Sequence, residues 1–237
     1  MKIIQESEHV YRLSRLGLVN CFLVEHDGAC TLIDTNLPGS ANSILESSNR
    51  LNLPIRRILL THAHFDHVAS LDALAAQLPG PLEIAIGARE SRFLTGDLSL
   101  DSNEQGKPLF GFMRCKTKPT TTLNDGASIG TFLALSCPGH TPGHFAFLDQ
   151  RDNSLFAGDA FTTQNGLLVA GVFQLTFPFP ALFSWNAQLS AQSGAKLGDA
   201  RPSRLCVGHG KTLENPATAL DQAVARALQE HPPSIQS

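Results

Sequence analysis

The stretch Leu59-Leu60-Thr61-His62-Ala63-His64-Phe65-Asp66-His67 ends an apolar run in three histidines and an aspartate. Imidazole nitrogens and carboxylate oxygens are ligands that borderline and harder divalent ions share, and four of them packed together would repel and over-solvate one another without a cation. Where the chain is still extended, His62 and His64 lie two apart, project to the same side and can hold one ion together. Asp66 and His67 are adjacent and point away from that pair. They suit a second ion, once the chain turns into the helix expected over Ser70 to Gln77. A capping or turn role would account for one or two such histidines, but not for the whole H-x-H-x-D-H pattern.

Further along come Cys137-Pro138-Gly139-His140-Thr141-Pro142-Gly143-His144, Gly158-Asp159 and Gly208-His209-Gly210. With Thr61 to His67, these motifs resemble, in order, the signature of the metallo-β-lactamase superfamily, in its glyoxalase II-like and lactonase-like branch, over residues 10 to 230. The resemblance implies an αβ/βα sandwich of two mixed β-sheets flanked by helices, here as a single domain over residues 1–237. Carried over by motif, His62, His64 and His140 would hold one ion, Asp66, His67 and His209 the other, and Asp159 would bridge them. Each ion would keep an open position for water or substrate. Two divalent ions are expected, zinc first, with iron or manganese as alternatives. A metal-bound hydroxide would then attack an ester, lactone or thioester carbonyl, with Asp66 orienting the water or relaying a proton to the leaving group. Such a scaffold carries many reactions, so the motifs leave the substrate open.

Composition narrows the classes. With 42% hydrophobic and 16% charged residues and a net charge of −3, the chain has no electrostatic footprint for nucleic acid or an anionic membrane. The loose basic group Arg114, Lys116 and Lys118 reads as a solvated loop. Five cysteines without a C-x-x-C spacing suit a reducing compartment, and several lie in apolar strand-like runs, where a free cysteine is usually a small core hydrophobe. No signal-peptide core or membrane-length apolar run stands out, so a cytoplasmic protein acting on a small molecule is expected.

In chain order, Val19 to Glu25 and Ala29 to Asp34 read as a hairpin around Asp27-Gly28. Ile44 to Leu51 has helical spacing, and Arg57 to Leu60 supplies the strand that delivers the histidines. Leu82 to Ile86 reads as a strand and Ala88 to Leu94 as a helix. Residues 95 to 126 read as a long surface connection between two halves. Ser128 to Cys137, His144 to Asp149, Ser154 to Gly158 and Leu205 to Val207 read as strands, and Leu182 to Ala195 and Pro216 to Glu230 as helices, the last capped by Asn215. Strands alternating with helices in two similar halves suggest two sheets packed face to face with helices outside.

Departures from the resembled family shape the functional expectation. Secreted β-lactamases closest in histidine pattern lack an acidic bridge where this chain has Asp159. Glyoxalase II-like thioesterases carry an added helical domain, whereas 28 residues follow His209 here. Lactonases place a tyrosine where this chain has Thr162. Other classes stay open: a mononuclear iron enzyme of the persulfide dioxygenase type, a β-lactam hydrolase, or a silent ligand-binding member. His9, His26 and His231 read as surface residues, while His144 reads equally as a support for the ligands or as a turn residue. Gly166 to Phe183 is the most apolar stretch, and prolines at 178 and 180 disfavour a regular element across its second half. Starting seven residues after Asp159, it suggests a wall or lid for an apolar substrate, a subunit interface, or packing over an edge.

Overall fold

At the Asp27-Gly28 hairpin both residues adopt positive φ (49° and 72°), the mirror-image two-residue turn that matches strand twist. It joins β3 (Val19–His26) to β4 (Ala29–Ile33) in a computed structural model that describes residues 1–233. The chain divides into two compact units, one of Met1–Leu98 with Gly111–Leu123, the other of Ser99–Phe110 with the chain from Asn124 onward.

The first unit is a seven-stranded sheet in the order of the chain. β1 (Lys2–Gln5), β2 (Val10–Arg15), β3 and β4 run antiparallel. β5 (Ile55–Leu60), β6 (Glu83–Gly87) and β7 (Thr121–Leu123) then extend it in parallel. Parallel strands need crossovers, supplied by α1 (Ala41–Arg50), the short α2 (Phe65–Val68), α3 (Leu71–Gln77) and α4 (Ala88–Leu94). Strands covered on both faces read as continuous apolar runs, and Ile58, Leu59 and Leu60 of β5 are completely buried. Leu13, Leu23, Leu32, Ile33 and Ile44 complete that core.

The second unit contains a six-stranded sheet ordered β15-β14-β11-β10-β9-β8. Its strands are β8 (Ser128–Ile129), β9 (Phe132–Ser136), β10 (Phe145–Asp149), β11 (Ser154–Phe156), β14 (Arg204–Cys206) and β15 (Leu213–Glu214). A separate ribbon pairs β12 (Phe161–Thr162) with β13 (Leu168–Val169). Helices α5 (Phe179–Phe183), α6 (Ala187–Asp199) and α7 (Ala217–Glu230) accompany them. The core here gathers Leu155, Phe161, Val169, Leu197, Leu205 and Leu220. Both sheets are mixed, since β11 and β14 are parallel within an otherwise antiparallel set.

Several boundaries differ from those expected. The expected strand over Ser128 to Cys137 is split by a turn in which Gly130 takes a φ of 59°. α6 starts at Ala187 rather than Leu182 because the side chain of Asn186 accepts the Leu189 N–H at 2.9 Å, while Pro178 and Pro180 begin a separate α5 that ends where Ser184 turns extended. Asn215 does not cap α7. It sits in the left-handed region at φ 48°, its N–H is donated to the Ser203 carbonyl, and Pro216 occupies the cap position without a side-chain bond. Nor is the stretch from 95 to 126 merely a surface connection. Cys115 is buried, and the Phe112 ring packs on Phe93 at 4.6 Å, because residues 111–113 pair with the ligand loop described below and the Cys115 N–H donates to Leu94 O. Among the described residues no helix is long and apolar enough to cross a membrane.

Candidate metal centre

In the first unit, β4 and β5 run in parallel with Ile33 opposite Leu59, so the residues just past both strand ends meet. Asp34 follows β4, and Thr61 to His64 follow β5. The Asp34 carboxylate accepts the Thr61 N–H and hydroxyl, each at 2.8 Å, and the His67 Nδ1–H at 2.8 Å. Glu90, a buried residue of α4, accepts the Ala63 N–H at 2.8 Å between the two histidines. On the other side of the loop, Phe65 N–H donates to Gly111 O, Met113 N–H donates to Ala63 O, and the Phe112 ring lies 4.7 Å from that of His64. Neither Asp34 nor Glu90 was found by sequence reasoning. The available signal for Asp34 was an acid closing an apolar strand next to the ligand strand, whereas Glu90 looks like any exposed helix glutamate.

This scaffold brings the four ligand candidates of the first unit together. The His62 ring lies 4.7 Å from that of His64 and 4.1 Å from that of His67, and His67 Nε2 lies 3.9 Å from Asp66 Oδ2. Ligand atoms of His62 and His64, and of Asp66 and His67, fall within 4.8 Å of each other. His67 does not point away from the first pair as its spacing suggested: its ring packs closer to His62 than that of His64 does, because the chain turns into α2 directly after His64.

In the second unit β11 and β14 are also parallel, with Phe156 opposite Cys206. The same offset beyond each strand end reaches Asp159 and His209, held together by Ala157 N–H to Cys206 O and Gly208 N–H to Gly158 O, each 2.8 Å. His140 sits in the turn between β9 and β10. Its Nε2 lies 3.4 Å, and that of His209 3.1 Å, from the same Asp159 oxygen, Oδ2. One carboxylate oxygen thus faces two imidazoles, as a bridging ligand would. The turn requires glycine at 139, where φ is 141° and an added Cβ would lie 2.2 Å from the Ser190 nitrogen. Thr162 plays a local part, donating its hydroxyl to the His209 carbonyl at 3.1 Å.

The donor chemistry fits divalent cations. Thr61 spends its hydroxyl proton on Asp34, so its oxygen accepts the proton on His62 Nδ1 at 3.0 Å. Ser184 spends its own on Pro180 O and accepts from His140 Nδ1 at 3.2 Å. Asp34 fixes the same tautomer in His67. All three rings therefore carry their lone pair on Nε2, which lies 3.9 Å from Asp66 Oδ2 in His67 and 3.4 Å from Asp159 Oδ2 in His140, and each has the outer hydrogen-bond partner that raises ligand basicity. No cysteine is among the ligand candidates. All five cysteines are buried and none is in a disulfide, and burial raises the thiols of Cys30 and Cys115 to about 12, far from the reactive range.

The family model for the metallo-beta-lactamase superfamily matches residues 14–209. The chain belongs to that superfamily. A relative from Bacillus subtilis (strain 168), the uncharacterized protein YobT, is 46% identical over 88% of this chain and 90% of its own. A hydroxyacylglutathione hydrolase of Stenotrophomonas maltophilia (strain R551-3) is 33% identical over 81% of this chain and 61% of its own length. The metallo-beta-lactamase fold is shown by the DIM-1 enzyme, with a TM-score of 0.69 at 15% identity over 97% of both chains. TTHA1623, solved in a di-iron-bound form, has a TM-score of 0.62 and 26% identity over 88% of this chain and 95% of its own. As a superfamily member, this chain has the His/Asp clusters of a metal-binding hydrolase, two mixed sheets flanked by helices, and relatives that act on small molecules.

Proposed function

We propose that this protein is a dinuclear metal-dependent hydrolase, with zinc the expected metal, that cleaves an ester, lactone or thioester bearing an apolar group. The observation that carries the reading is the tautomer set: His62, His67 and His140 each keep the lone pair on Nε2, which in His67 and His140 faces a candidate carboxylate ligand. By family motif, His62, His64 and His140 serve one ion, Asp66, His67 and His209 the other, and Asp159 both. Two ions held there supply a water acidified to near neutral pH and polarise a carbonyl. The remaining work falls to side chains. Asp66, less buried than the ligand histidines, orients that water and carries its proton toward the leaving group. Thr162 does not take the donor role of a lactonase tyrosine, since its hydroxyl is committed to His209 O.

The apolar stretch supports the substrate preference. Its first half is core, with Leu168, Val169 and Val172 buried. Its second half leaves Phe173, Leu175, Phe179 and Leu182 exposed, and the Phe177 ring lies 5.6 Å from that of His209 and 5.4 Å from Phe179. An apolar acyl group has a surface to cover there. The family match runs through both units, which supports reading the chain as one catalytic domain, and five buried cysteines, none in a disulfide, suit a reducing cytoplasm.

Metal analysis combined with a panel of lactones, aryl esters, thioesters and β-lactams tests the proposal. Turnover of acyl esters or thioesters by protein holding two ions is expected. A single iron with oxygen uptake, or no turnover of any carbonyl substrate by the loaded protein, would overturn it.

A further inference from the structure

His144 is completely buried yet stands outside the ligand set. Its Nε2 accepts the backbone N–H of Asp159 at 3.1 Å. A peptide N–H only donates, so Nε2 must carry the lone pair and the ring proton must sit on Nδ1. From there it donates to Cys137 Sγ at 3.1 Å. The lone pair that His67 and His140 aim at neighbouring ligand candidates is, in His144, aimed at a peptide group. The ring also meets His140 edge-on, with centroids 5.9 Å apart and an interplanar angle of 87°. Cys137 N–H donates to His144 O at 2.8 Å, closing the turn that carries His140.

One side chain therefore joins the turn bearing His140 to the strand end bearing Asp159. A residue needed only for the turn would use its backbone, which any amino acid supplies. We infer that His144, with its ring oriented by Cys137, is a positioning residue that holds the Asp159 peptide so that its carboxylate stays between His140 and His209. In Gly139-His140-Thr141-Pro142-Gly143-His144 the two histidines then divide the labour: the first ligates and the second braces. The inference rests on the metal-centre reading proposed above.

The test compares wild type, His144→Leu, His144→Gln and Cys137→Ala by zinc titration against a chromophoric chelator, with thermal melting of the metal-free proteins as the control. Long-range proton–nitrogen NMR of wild type reads the tautomer directly. A proton on Nδ1 of His144, the minor form of free histidine, is expected. His144→Leu should bind zinc about 10–100-fold more weakly, the range for lost outer partners of ligands. His144→Gln, whose amide oxygen can accept the Asp159 N–H, should recover most of that affinity, and Cys137→Ala should lose less than His144→Leu. Wild-type affinity in His144→Leu, or a proton on Nε2, would overturn the inference and leave the hydrolase reading standing. If His144→Leu fails to fold, the Gln variant and the tautomer decide, and a Gln variant with no recovered affinity overturns the inference. Failure of wild type to bind zinc or any other divalent ion overturns the metal-centre reading itself, and the positioning role falls with it.

Discussion

Asp34 Oδ2 and His67 Nδ1 are joined by a 2.8 Å hydrogen bond that spans 33 residues of sequence. The same carboxylate accepts two hydrogen bonds from Thr61, so one acid orders both ends of the H-x-H-x-D-H loop.

Replacing Asp34 with alanine strands buried donors on Thr61 and His67. Each of the three unmet donors costs about 1–3 kcal/mol, so the variant should be at least about 3 kcal/mol less stable by denaturant unfolding. It should also bind zinc about 10–100-fold more weakly, because the His67 tautomer is no longer set. Asp34→Asn, which keeps one acceptor, should fall between. Wild-type affinity in Asp34→Ala would remove the orienting role.

Elemental analysis of the purified protein should find two divalent ions per chain, and stripping them with a chelator should lower Tm, because a ligand bound to the folded state alone stabilises it by mass action. Asp159→Ala removes the oxygen that faces both His140 and His209, so its metal content should drop along with its rate. An Asp159→Ala protein with full metal content and full activity would rule out a bridging role.

The apolar surface beside His209 predicts a rise in kcat/KM with acyl-chain length, by up to about 0.8 kcal/mol for each buried methylene. Phe177→Ala should flatten that dependence most, since its ring packs next to His209, and Phe173→Ala less. A flat profile in wild type, or an unchanged one in both variants, would exclude the subsite.

Asp72 gives a pH signature unrelated to metal. Burial opposes its ionisation, but the Lys116 N–H, with the Thr117 hydroxyl and N–H, outweighs it and holds the carboxyl below its ordinary 3.8. A depressed carboxyl contributes stability that is present above its unfolded value and lost as pH falls through the folded one. Asp72→Asn should therefore be less stable than wild type at pH 7, by about 1 kcal/mol for the weakened pair of hydrogen bonds. The gap should close below pH 3.8, and a gap that stays constant down to pH 2 would refute the assignment.

What the sequence by itself determined was local. The H-x-H-x-D-H spacing places His62 beside His64 and Asp66 beside His67, because neighbours along an extended strand and its following turn stay neighbours after folding. Asp27-Gly28 specified its hairpin for the same reason. The helix over Ala88–Leu94 was legible to the residue, but that over Ala187–Asp199 was not, because the choice of Asn186 as cap depended on the preceding short helix stopping at an extended Ser184. Tertiary structure alone decided which distant residues serve the ligands. Parallel register sets Asp34 beside Thr61 and Asp159 beside His209, and buried packing aims Glu90 at Ala63 and His144 at the Asp159 peptide. A lone acid, serine or histidine has no sequence periodicity. Its role is defined by the hydrogen bonds it makes across the fold, and those partners exist only once the strands are paired.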